Sequence, residues 1–473
     1  MVTVFLVNRQ TRDEFGKAAG VDAGWMFQSQ LEVTAVDGQS PVFVPSDAGG
    51  GFVSEAEDRE QALLAMMYRH SPEYAAGHGV AVGWNEPEDL DPIGEGRRAW
   101  RLFTDSLPTH DVPQTAAPTA ADVPGFADLV LDMTALAQAG DGAAAAGMLR
   151  PLVDAYRAWI AQQQSRIESE PGLVPYAGVA VESLRRASRA ADRIESGLAV
   201  LATQPQAWAA FRFANEAMAL QRQHTEAMNA CKADPDLSFA AALKVVDVPG
   251  RRSWRPFQIA FVLLNLPALA DPTSPERTAG GPGQPAVDEA LADLLFFPTG
   301  GGKTEAYLGL TAFTFAIRRL QGDVGGLDGS RGVGVLMRYT LRLLTSQQLQ
   351  RAATLVAAAE VLRRRDMAAG VNMWGGEPFR IGLWVGGSVT PNRFEDAESF
   401  VEDAHGWGKA SGRSSISPVP FTECPWCGST IQPKTDVVAD KATRRVRIYC
   451  GDTTGRCEFT MAKNRDGLPV LTV

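Results

Sequence analysis

The stretch Phe296-Phe297-Pro298-Thr299-Gly300-Gly301-Gly302-Lys303-Thr304-Glu305 constrains this chain more than any other. A short apolar run, Leu294–Phe297, precedes its turn and reads as a buried strand; Ala306–Leu320 follows and reads as a helix. Strand, glycine-rich turn, Gly-Lys-Thr and helix, in that order, make a phosphate-binding loop. Gly300, Gly301 and Gly302 let backbone N–H groups converge on phosphate with no Cβ in the way. The helix start adds free N–H groups and the positive end of its dipole. Thr299 belongs to the same loop, Lys303 would reach the β- and γ-phosphates of ATP, and Thr304 would hold Mg²⁺. The plain alternative is a glycine-rich turn before a helix, with a stray lysine. One departure stands out: the general form places Gly or Ala five residues before Gly302, and here that residue is Phe297.

A length of 473 residues allows roughly three or four domains. With 45% apolar and 21% charged residues, the composition is that of an ordinary globular protein. No apolar run approaches the roughly 20 residues of a membrane span, so no membrane partner is expected. The N-terminal run Val2–Val7 stops at Asn8 with no cleavage site after it, and reads as a strand and not a signal peptide. Four of the five cysteines are clustered, which does not suggest a secreted disulfide scaffold and points to the cytoplasm. The net charge of −10 argues against a protein that coats nucleic acid, but a local basic channel is compatible with it. Between Arg331 and Arg365 the chain carries Arg338, Arg342, Arg351, Arg363 and Arg364, with Glu360 as the sole acid. Such a run is either a solvated helix face or a backbone-contacting surface.

The chain divides into stretches of different periodicity. Residues 1–103 alternate as a β-rich α+β domain, with Trp25–Val36, Pro41–Pro45 and His78–Trp84 as strands and Glu55–Arg69 as a helix. Residues 104–125 are a Pro- and Ala-rich linker. Residues 126–250 form a helical block with three apolar stripes. These are Leu149, Val153, Tyr156, Ile160; Leu184, Ala187, Ala191, Ile194, Leu198, Leu201; and Trp208, Phe211, Asn215, Met218. Residues 251–392 carry the phosphate loop, with Gly332–Met337 and Phe379–Val385 as further strands and a helix from Ser346 to about Arg365. Residues 393–473 hold the cysteines.

Cys424-Pro425-Trp426-Cys427 is a C-x₂-C knuckle, and Cys450 and Cys457 form a C-x₆-C pair. Four thiolates supplied two by two suit tetrahedral Zn²⁺, hence a zinc ribbon. A redox C-x₂-C would not need the second pair, and an iron–sulfur cluster is the other candidate. Arg444, Arg445 and Arg447 lie between the two pairs.

Trp254-Arg255-Pro256-Phe257-Gln258-Ile259-Ala260-Phe261 lies upstream of the loop. The Gln258 amide can donate and accept at once, which matches adenine N6 and N7; the alternative is a helix start with Phe257 and Phe261 in a core. In combination with the Pro-Thr-Gly-x-Gly-Lys-Thr loop and the stretch Met337–Gln350, this order resembles the first RecA-like lobe of a superfamily 2 helicase. More narrowly, it resembles the large helicase-like subunit of the DISARM anti-phage defence system. The resemblance implies an α/β fold: an incomplete RecA-like P-loop lobe with an N-terminal β-containing domain, an α-helical block and a zinc-ribbon insertion. It implies that Arg338, Arg342, Thr345 and Gln348 grip a nucleic-acid backbone, DNA with RNA left open. It also implies ATP-driven translocation or unwinding together with other defence-system subunits. The sequence departs from that pattern in one way: no Asp-Glu pair follows Lys303, and Glu402-Asp403 is reversed. A helicase uses such a pair for Mg²⁺ and water, and arginine fingers from a second lobe. The chain is therefore expected to be the N-terminal part of a helicase or one half of a split enzyme, with no catalytic base of its own. The alternatives are a non-hydrolysing nucleotide- and DNA-binding scaffold, or an unrelated P-loop NTPase.

Overall fold

A computed structural model describes residues 2–9, 29–45, 55–87, 97–105, 116–272, 274, 276, 292–297, 301–324, 326–338, 344–385, 389–406 and 416–471. The chain forms two compact units, one of residues 1–114 and 160–187, the other of residues 115–159 and 188–473.

The first unit contains a three-stranded antiparallel sheet of β1 (Glu32–Thr34), β2 (Ala81–Asn85) and β3 (Arg101–Asp105), with β3 in the middle. Phe103 faces Glu32 on one side and Gly83 on the other. Its ring lies so close over Gly83 that a Cβ there would come within 2.5 Å of it. Tyr74 packs edge-on against Trp84 at 5.7 Å, and its hydroxyl donates to Glu86, which is also paired with Arg97. Helix α1 (Glu55–Met67) completes the order before the long helices. Residues 2–9 belong to no sheet, and Val2, Phe5 and Val7 are exposed. The strand expected at Val2–Val7 thus has no ladder partner among the described residues, and an isolated strand has little stability of its own in water.

The second unit is mostly helical. Its elements run α2 (Met133–Ala137), α3 (Gly142–Ser169), α4 (Ala177–Thr203), α5 (Pro205–Ala233), α6 (Phe239–Val246), α7 (Pro256–Ala270) and α8 (Lys303–Gln321). The hairpin β4 (Asp323–Val324) and β5 (Leu327–Asp328) follows, then α9 (Leu344–Ala368), β6 (Ile381–Gly382), α10 (Phe394–His405) and α11 (Pro433–Asp436). The hairpin β7 (Val437–Asp440) and β8 (Arg445–Ile448), then β9 (Val470–Leu471), close the described chain. The last part of α3 and the first part of α4 belong to the first unit.

Helix α5 is the axis of this core. Phe211, Phe213, Ala214, Ala217 and Met218 are buried, and so are its polar residues Asn215, Gln221 and His224. Burial on more than one face follows from packing against α2, α6, α8 and α9. The Asn215 amide is satisfied at both ends: Nδ2 donates to Phe211 O at 2.9 Å, and Oδ1 accepts from Trp254 Nε1 at 2.8 Å. The stripe residues Leu149, Val153, Ile194, Leu198 and Leu201 belong to the same core, and Ala191 is also buried.

The fold class is mixed, with helices and small sheets. Among the described residues the one parallel pair is β6 with β9, where Ile381 faces Val470. Leu294–Phe297 and Gly332–Met337 were expected to supply buried strands, and they belong to none. Leu294 and Phe296 are each 87% exposed and Leu336 79%. A parallel sheet is stable when helices cover both faces and strands flank each edge, and among the described residues these segments have no flanking strand.

Candidate nucleotide loop and four-cysteine centre

Helix α8 begins at Lys303, the residue at which the loop reading places its phosphate ligand. Its N-cap, Gly302, has φ 87°, in the left-handed region that favours glycine. A Cβ at 302 would also meet Gln258 Nε2 at 2.8 Å.

The loop is held from below by the start of α7. Gln258 Oε1 accepts from the Arg255 N–H at 2.7 Å, and its Nε2 donates to Gly302 O at 2.7 Å. Arg255 Nη1 donates to Gly301 O, also at 2.7 Å. Phe257 stacks on Phe297 with ring centres 3.9 Å apart. Lys303 Nζ donates to Phe297 O at 2.6 Å, so the ammonium points back into the loop. Gln258 is buried with both ends of its amide bonded to backbone; in this conformation it braces the loop.

Gln258, Gly301, Gly302 and Lys303 are therefore brought together, and Thr304 follows in the first turn of α8. Thr299 and Gly300 lie outside the described residues. Of the expected backbone-gripping residues, Arg338 is exposed and Gln348 half-buried. Gln348 Oε1 is buried with no hydrogen-bond partner among the described residues. Thr345 sits in the first turn of α9, and Arg342 lies outside the described residues.

One residue of the loop acquires a role that the sequence did not suggest. Glu305 is buried and pairs with Arg222 of α5 at 3.4 Å and with Arg351 of α9. Three helices thus meet at the carboxylate two residues after Lys303. The signal was the Glu following Gly-Lys-Thr, but its arginine partners are remote in sequence.

Cys424, Cys427, Cys450 and Cys457 converge, with their four sulfurs within 4.8 Å of one another. The knuckle turn closes through Cys424 N–H to Ser429 O at 2.8 Å and Gly428 N–H to Cys424 O at 2.9 Å, with Gly428 at φ 77°. Cys450 follows β8 and donates its N–H to Phe459 O at 2.9 Å. Asp452 Oδ2 accepts from the N–H groups of Arg456 and Cys457 at 2.8 Å each, fixing the second pair. Cys427 and Cys450 sulfurs are 3.3 Å apart, well beyond a disulfide bond, and all five cysteines are free thiols.

Four sulfurs around one zinc ion at about 2.3 Å would stand about 3.8 Å from one another, so the donor set fits. Its electrostatics point the same way. Burial pushes the Cys424 thiol up, whereas hydrogen bonds from Cys424, Cys450 and Cys457 pull Cys427 well below the ordinary thiol range. Neighbouring thiols can support one thiolate; four thiolates need a cation among them. Of the ribbon arginines, Arg444 pairs with Glu395 and Arg447 with Asp440, each at 2.6 Å.

The knuckle is seated on the helical core. Trp426 stacks on His224 of α5 with ring centres 3.4 Å apart and planes 24° apart, and His224 Nδ1 lies 2.6 Å from Trp426 O. Burial holds His224 down to about 4, so it is neutral near pH 7 and can donate from Nδ1. The Thr354 hydroxyl of α9 lies 2.8 Å from Pro425 O and 2.9 Å from Gln350 O, its single proton shared between the two acceptors.

No helix among the described residues is long and apolar enough to cross a membrane. No family model matches the chain. Over 478 aligned residues it is 29% identical to the DISARM protein DrmA of Bacillus paralicheniformis, an alignment that takes in 97% of this chain and 37% of that protein. The chain spans a little over a third of that relative's length, and nearly all of it is similar to a DISARM protein.

Proposed function

We propose that this chain acts in anti-phage defence as the nucleotide-binding part of a DISARM-type, helicase-like protein. The observation that carries the nucleotide reading is the built loop: Gly302 in a left-handed N-cap, Lys303 at the first position of α8, and Arg255 and Gln258 fixing the two preceding carbonyls. Carbonyls tied down in this way leave the adjoining N–H groups and the helix dipole for an anion. ATP phosphates would draw Lys303 away from Phe297 O, since a charged acceptor binds an ammonium more strongly than a carbonyl does. Thr304 would contribute its hydroxyl to Mg²⁺. Gln258 serves as the loop's brace and reads adenine only if that bracing is released.

The defence reading rests on similarity along almost the whole chain. A RecA-like lobe, with the apolar segments at 294–297 and 332–337 drawn into a parallel sheet, belongs to this proposal. So do DNA as the track, contacts from Arg338, Arg342, Thr345 and Gln348, other defence subunits as partners, and a cytoplasmic site of action. The cysteine centre would take Zn²⁺, which supplies a fixed tetrahedral cross-link.

The test is binding of a fluorescent ATP analogue. Lys303→Ala should weaken it by more than tenfold; unchanged affinity would sink the nucleotide site. A second reading is a scaffold that binds nucleotide but does not hydrolyse it. DNA-stimulated hydrolysis by this chain together with the remainder of a full-length relative would decide for the enzyme.

A further inference from the structure

Pro425 and Trp426 are the two residues between the paired cysteines of the knuckle, and both of their carbonyls are bonded to helices. Trp426 O is bonded to His224 on α5 at 2.6 Å, and Pro425 O to Thr354 on α9 at 2.8 Å. Those two helices also hold Glu305: Arg222 lies two residues from His224, and Arg351 three residues from Thr354. Residues three apart share a helix face, as Arg351 and Thr354 do on α9, whereas Arg222 and His224, two apart, are joined through the α5 backbone. Glu305 stands in the first turn of α8, and its Oε2 would lie 3.5 Å from a Cβ at Gly302. The knuckle is thus bonded to α5 and α9, and the same two helices are paired with Glu305, whose carboxylate lies beside Gly302. Trp426 adds a buried ring against His224, and Met228 of α5 packs under Gly428.

We infer that the four-cysteine centre sets the geometry of the nucleotide loop: metal in the knuckle holds α5 and α9 at the spacing at which Arg222 and Arg351 together grip Glu305. His224, Thr354, Arg222, Arg351 and Glu305 are positioning residues for the loop. The inference rests on the nucleotide and metal readings above and adds a linkage between them. When the metal leaves, the knuckle loses the cross-link that fixes its two carbonyls, the arginines shift against each other, and the first turn of α8 loosens. Linkage is reciprocal, so bound nucleotide tightens metal retention by the factor by which metal tightens nucleotide binding.

The experiment uses the zinc-loaded chain, a fluorescent ATP analogue, and amide hydrogen exchange over residues 301–306. Chelation should weaken analogue binding at least tenfold and speed exchange at 301–306 while far-UV circular dichroism stays helical. Thr354→Val keeps the buried volume but removes the bond to Pro425 O. It should still bind one Co²⁺ with a tetrathiolate spectrum, yet lose most of the response to chelation, and Thr354→Ser should restore it. Glu305→Gln should show fast exchange at 301–306 whether or not metal is present. Exchange at 301–306 that is the same with and without metal in the wild-type chain overturns the linkage, and so does a Thr354→Val variant that responds like wild type. A zinc-loaded chain that binds no analogue overturns the nucleotide reading alone, and exchange at 301–306 then decides the linkage by itself.

Discussion

Asp132 shows how much one side chain can organise. It is the N-cap of α2, accepting from Thr134 N–H at 2.7 Å and Ala135 N–H at 3.4 Å, and it pairs with Arg252 at 3.0 Å. Burial raises its carboxyl, but Arg252 and the two N–H groups lower it further, so the folded state holds it below the usual range. Its stabilisation is therefore complete above the unfolded pKa of about 3.9 and drains away as pH falls through the lower folded value. Asp132→Asn should cost about 1–2 kcal/mol at pH 7 by urea unfolding. The gap between variant and wild type should close as the pH is taken below 4; a gap independent of pH would mean that the charge contributes nothing. At the same scale, Gly302 and Gln258 were both marked by the sequence, as a loop glycine and an adenine reader. The bond between them was not legible, because it joins positions remote in the chain.

Among the elements, α8 carries the argument. The sequence places it after Gly-Lys-Thr and ends it near Leu320, and it runs from Lys303 to Gln321. Its buried face, Ala306, Leu308, Ala312, Phe313 and Ala316, repeats at helical spacing, which makes the element readable from periodicity. Gly309 on this helix lies against the Trp254 indole, where a Cβ would come within 2.5 Å of the ring. Gly309→Val should therefore destabilise the protein by about 1–3 kcal/mol through overpacking, read as a lowered thermal midpoint. Combining it with Trp254→Ala should cost less than the sum of the two single changes, since the ring it strikes is gone; strict additivity would show that the clash is relieved elsewhere. Strands were less legible than helices. The runs at 2–7, 294–297 and 332–337 have the residue types of strands, but a strand exists only when another chain segment supplies its ladder, and no local pattern encodes that partner.

For the molecule as a whole, the four-cysteine centre and the helices are one piece of core. Cys424, Cys450 and Cys457 are buried in the same apolar cluster as Phe211 of α5, Phe313 of α8 and Leu355 of α9. Chelating zinc from the zinc-loaded chain should therefore lower the main calorimetric transition of the second unit by roughly 5 °C or more, as one step. A separate small transition that vanished with the metal while the main one stayed fixed would mean that the ribbon folds on its own.

The sequence alone determined what periodicity and local spacing encode. It placed a helix just after Gly-Lys-Thr, at Ala306–Leu320 where the structure has Lys303–Gln321, and it paired the cysteines two by two at separations that allow four sulfurs to meet. Tertiary structure decided everything that depends on residues distant in the chain. It turned Gln258 toward the backbone of the loop, buried Glu305 between Arg222 and Arg351, and seated Trp426 on His224. The physical reason is that a helix or a tight knuckle is built from bonds between near neighbours, whereas a buried carboxylate or amide must find its partners wherever packing delivers them.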